Sequence, residues 1–138
     1  MIKYRILPEH RLIAICNWGE TSIEEINTFS LNLRSDPNYS YDHDAIVDNS
    51  LSTTTFSNNE IYMLAKYRKD PRAVKIKIAI IAPTDLSYGI SRMHGALSES
   101  ENPYNINIFR DMNSAIEWLD RSELDIERIF EEIKKVPH

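Results

Sequence analysis

Proline constrains this chain more than any other residue type, because each one fixes φ, lacks an amide donor and biases its predecessor away from the helix. Pro8, Pro37, Pro71, Pro83 and Pro103 all fall between segments of periodic apolar patterning, so they mark where elements end. Ile2 to Leu7 and Leu12 to Asn17 read as two strands, and the Pro8–Glu9–His10 link between them is too short for anything but an antiparallel hairpin.

Beyond the hairpin, helices and strands alternate. Thr21 followed by Glu24 forms a capping box, and Ile23, Ile26, Leu31 and Leu33 supply the apolar face of a helix running to about Arg34. Ala45–Val47 is a short apolar strand ending at Asp48. A second capping box, Ser57 with Glu60, opens a helix from Ile61 to about Arg68. Lys75–Ile81 starts with alternation and finishes as an apolar run, the pattern of a strand that enters the interior from an exposed end.

Thr84 or Asp85 caps a third helix carrying Leu86, Ile90, Met93 and Leu97. Asn105–Phe109 is the last strand, followed by a short helix over Ala115, Ile116, Trp118 and Leu119. Ser122 and Asp125 begin a terminal helix with Ile126, Ile129, Phe130 and Ile133 on one face. The order is ββαβαβαβαα, and single-helix crossovers make the last four strands parallel in a mixed α/β sheet.

A chain of 138 residues is expected to form one domain over 1–138, with 121–138 as a C-terminal helical extension. No apolar run reaches the roughly 20 residues of a membrane span, and the first eleven residues lack the apolar stretch of a signal peptide. A soluble, cytoplasmic protein is the expectation. Cys16 is the only cysteine, and a net charge of −5 disfavours nucleic acid as a partner.

The segments YRILPEHRLIAICNWG, VDNS, KIAIIAPTDLSYGISRM and NIFRDMNSAIEWL carry a family resemblance that covers about residues 2 to 120. The chain resembles the STAS/SpoIIAA-like group, in particular its bacterial branch labelled STAS/SEC14 domain-containing. The resemblance implies a SpoIIAA-like right-handed βα superhelix. It also points to Ser57, because anti-sigma-factor antagonists of this fold are phosphorylated on a serine at the start of the helix after the third strand. Those antagonists typically show Asp-Ser-x-Gly, whereas this chain reads Phe56–Ser57–Asn58–Asn59, and Ser57 also serves as a plain helix cap.

The remaining candidates are surface groupings. Asp48 and Ser50 begin the hydroxyl-rich segment DNSLSTTTFS at the C-terminal end of a parallel strand, where ligands of open α/β sheets bind and where a self-satisfied turn is the competing role. Tyr88 and Arg92 share one helix face and offer a ligand or partner surface, with an ion pair from Arg92 to Asp85 or Glu99 as the structural reading. Asp42–His43–Asp44 is the one compact acid–histidine group, but on a strand its neighbours point to opposite faces, so no metal site is assigned.

The cations from Lys66 to Lys77 form a local basic stretch, and the terminal helix either packs on its own domain or supplies a homodimer face. With three glycines and no nucleophile motif, no cofactor and no catalytic set are assigned. The leading expectation is a non-enzymatic regulatory or protein-interaction module; the alternatives are a small-ligand or lipid-binding domain and a switch acting through Ser57.

Overall fold

The computed structural model describes residues 1–53, 76–82 and 105–135. Strands β1 (Ile2–Leu7) and β2 (Leu12–Gly19) form the expected hairpin, with Ile2 opposite Asn17 and Leu7 opposite Leu12. A short 3-10 turn over Pro8–His10 joins them, closed by the Arg11 amide donating to the Pro8 carbonyl at 3.2 Å. Strands β3 (Asp44–Ser52), β4 (Lys77–Ile81) and β5 (Asn105–Phe109) complete a five-stranded sheet in spatial order β1-β2-β3-β4-β5, with β2 to β5 parallel.

Alternation along β2 explains its unbroken apolar run. Leu12, Ala14 and Cys16 point to one face, with Ile46, Ala79 and Ile81; Ile13 and Ile15 point to the other, with Ala45, Val47 and Ile80. A strand covered on both sides has no solvent side on which to place polar residues.

Helix α1 (Ile23–Ser35) lies over the Ile13 face, into which it buries Phe29. Its cap is Ser22, not Thr21: the Ser22 hydroxyl accepts from the Glu25 amide at 3.1 Å. Thr21 is buried and donates to Asn17 Oδ1 at 2.6 Å, so its hydroxyl is taken up by the strand it leaves. Leu31, expected on the core face, is 69% exposed, because five positions on from Ile26 it stands about 140° round the helix. Phe29 takes the inward place.

The opposite face is covered by the C-terminal segment. Helix α2 (Met112–Trp118), capped by Asp111, packs on β4 and β5, and helix α3 (Ile126–Lys135) packs on β1 and β2. A left-handed residue, Asp120, turns the chain between them: its amide donates to the Glu117 carbonyl and the Arg121 amide to the Ile116 carbonyl, each at 3.1 Å. Asp125 caps α3 by accepting from the Arg128 amide at 3.3 Å; Ser122, expected to share that start, lies outside the helix.

Ile126, Phe130 and Ile133 are all but fully buried against the sheet, so the helix face considered for self-association is covered by the chain's own strands. Arg5 pairs with Glu132 at 2.9 Å across this contact and holds the Glu132 carboxyl below its ordinary pKa. Arg121 fastens the segment at the hairpin end, donating to the carbonyls of His10 and Leu119 and pairing with Asp44 at 3.2 Å.

Candidate functional site

The C-terminal ends of the strands hold two of the residues singled out from sequence. Asp48 is 4% exposed and lies opposite both Cys16 and Ile81 in the sheet register. Its Oδ1 accepts from the Ser50 amide at 2.9 Å, which fixes the local backbone and leaves Ser50 at the surface. Burial pushes the neighbouring Cys16 thiol up to about 11; Lys134 opposes this and Asp48 adds to it. That sulfur is therefore a protonated core group at neutral pH and not a nucleophile.

Ser50 and Ser52 do not belong to a loop. Strand β3 continues through Asn49–Ser52, past the expected end at Asp48, by pairing Leu51 with Trp18 and Ser52 with Gly19 after a register shift in which β3 carries one extra residue. Strand β4 stops opposite Asp48, so among the described residues no strand covers the other edge of Asn49–Ser52. Leu51 on this projecting end is 57% exposed, and Asn49 Oδ1 is buried without a hydrogen-bond partner. Ser57, Tyr88 and Arg92 lie outside the described residues.

The Asp42–His43–Asp44 group is split three ways. Asp42 sits in the turn before β3, where the Ser40 hydroxyl and Arg11 hold its carboxyl below the ordinary range. Asp44 opens β3, accepting from the Lys77 amide at 2.8 Å and pairing with Arg121. Lys77, counted in the basic stretch, donates to the Trp118 carbonyl at 3.2 Å and lies 5.2 Å from that indole ring centre, so its charge is bound into the fold.

His43 turns to the α1 face and lines a pocket of about 110 Å³ that sequence reasoning did not foresee. The pocket lies at the N-terminal end of β3 and β4, opposite to the Asp48 end. Its walls are Ile13, Phe29, Leu33, Val47 and Ile78, and its polar groups come from Ser30, Arg34 and the Tyr39–His43 segment. His43 is 7% exposed, and its Nδ1 has no hydrogen-bond partner. The signal in the sequence was Tyr39, Tyr41 and His43 alternating with polar residues just before a strand, too many rings for a solvated turn.

Among the described residues no group of three or more acidic, histidine or cysteine side chains could hold a metal ion, and no helix is long and apolar enough to cross a membrane. No protein-family model, curated protein or solved structure matches the chain.

Proposed function

We propose that the protein is a non-enzymatic interaction module that engages another protein through the projecting end of β3. The observation that carries this reading is that β3 runs on past the end of β4, where among the described residues Asn49–Leu51 has a strand neighbour in β2 alone, and that Leu51 there is exposed. An open edge supplies main-chain donors and acceptors for an added segment, and a neighbouring apolar side chain supplies selectivity. Strands β3 and β4 both end on this side, at Ser52 and Ile81. The antiparallel pair followed by parallel strands in chain order is also the coarse architecture that the STAS/SpoIIAA resemblance implies, which supports a regulatory role of that general kind.

A photo-reactive amino acid placed at Leu51 tests the proposal, with the same residue at Leu31, exposed on α1, as the control. The expected result in native cells is a defined protein adduct from position 51 that is absent from position 31. Matching adducts from both positions, or none from position 51, would contradict it.

A further inference from the structure

We infer that the partner segment taken at the projecting end of β3 is an extended acidic peptide with an apolar anchor: the anchor rests on Leu51 and Trp18, and its carboxylates meet Lys3 and Lys134. The inference rests on the proposal that this end is a partner surface and adds the chemistry of what it takes.

The sheet register places the apolar part. Trp18 packs against the cluster under α2 and α3 and stays half-buried. Leu51 stands opposite Trp18 in the pairing of β2 with β3, and cross-strand partners point to the same face. The exposed leucine and the indole therefore lie side by side on the α3 side of the sheet. An apolar side chain laid there covers both. The backbone of Asn49–Leu51, which among the described residues meets a strand on the β2 side only, suits an extended chain beside it.

Charge sets the rest. Lys3 lies opposite Cys16 on β1 and holds its Nζ 5.9 Å from the centre of the Trp18 ring. Lys134, in the last turn of α3, is near enough to Cys16 to act on its thiol electrostatically. Among the described residues neither lysine pairs with a carboxylate, whereas Arg5, Arg11, Arg121 and Arg128 each do. The last carbonyls of α3 offset only about half a charge. Asp48, the acid beside Cys16, is buried and takes the Ser50 amide, so it does not reach the surface to neutralise them. Cations flanking an indole and an exposed leucine complement an apolar residue set among glutamates or aspartates. An anionic bilayer would meet the same lysines, but it does not pair with strand backbone, and it repels a chain of net charge −5.

Selection of a random decapeptide display library on the full-length chain tests the inference, with the enriched peptides synthesised and titrated. The enriched sequences are expected to combine an apolar residue with acidic neighbours. Their Kd should rise with salt, and should rise about tenfold in Leu51→Ser and in the Lys3→Gln, Lys134→Gln double variant. Peptides that weaken in Leu51→Ser but are basic or neutral, or that ignore the lysine substitutions, would overturn the acidic assignment and leave the partner surface standing. Peptides indifferent to Leu51→Ser would overturn the surface and this inference with it. A selection that enriches nothing would also sink the acidic peptide, while cross-linking at position 51 still judges the surface. Binding to vesicles of phosphatidylserine and phosphatidylcholine, or dimerisation of the chain, that is lost in Leu51→Ser would give the face to a membrane or a second copy and contradict the assignment.

Discussion

The two faces of the sheet are covered differently. Under α2 and α3 the packed side chains are aliphatic and aromatic, with Phe130 the largest of the fully buried groups, and Arg121, Arg5 and Lys77 fasten the covering segment at its margins. On the other face α1, the one helix described there, seats Phe29, several aliphatic neighbours are only partly buried among the described residues, and a pocket lined in part by His43 remains. Close packing without voids maximises stability, whereas a site that must admit something gives up part of it. The first face is closely packed, and the second keeps a pocket open.

Truncation separates the faces most strongly. Phe130→Ala is expected to cost about 3–5 kcal/mol, because the surrounding side chains are fixed and the cavity stays open. Phe29→Ala, beside space that already exists, is expected to cost less, at the low end of that range. Urea unfolding of both variants checks this, and equal losses would erase the distinction between the faces.

A smaller effect is expected in alkali. Burial, aided by the hydrogen bond to Asp36 at 2.8 Å, pushes the Tyr4 hydroxyl on the α1 face up to about 12, while burial raises the Cys16 thiol on the other face to about 11. Each group holds its proton more tightly in the folded chain than in the unfolded one. The stability each contributes is complete below its ordinary value and is lost as pH rises, from 9.0 to about 11 for Cys16 and from 10.0 to about 12 for Tyr4. Stability measured against pH should lose its fall in the lower window in Cys16→Ala and in the upper window in Tyr4→Phe. A Cys16→Ala profile unchanged between pH 9 and 11 would show that the thiol is not sealed as described.

The elements set by local rules were legible in the sequence. The hairpin followed from the length of its link, and Asn105–Phe109 from its alternation. Errors arose where two local solutions were equally good or where a partner strand decided. Thr21 and Ser22 each stand three residues before a glutamate, and the demand of buried Asn17 for a donor settled which of them caps. The polar Asn49–Ser52 carries no strand pattern; its extension depends on the register shift against Trp18, which only pairing reveals. The candidate site was least legible. Asp48 and Ser50 were found for their position at a strand end, but the pocket joins β2, α1, β3 and β4 and exists only once those elements pack. His43 was noticed for its acidic neighbours, which turned out to serve Arg11 and Arg121 instead.

The difference between the two faces is tested most directly by xenon, an apolar probe small enough to enter dry cavities. Methyl NMR of the protein under xenon pressure should show shifts concentrated at Ile13, Ile15, Val47 and Ile78, with Ile46, Ile81, Ile126 and Ile133 unmoved. Shifts of similar size on both faces, or larger ones under α2 and α3, would contradict the account.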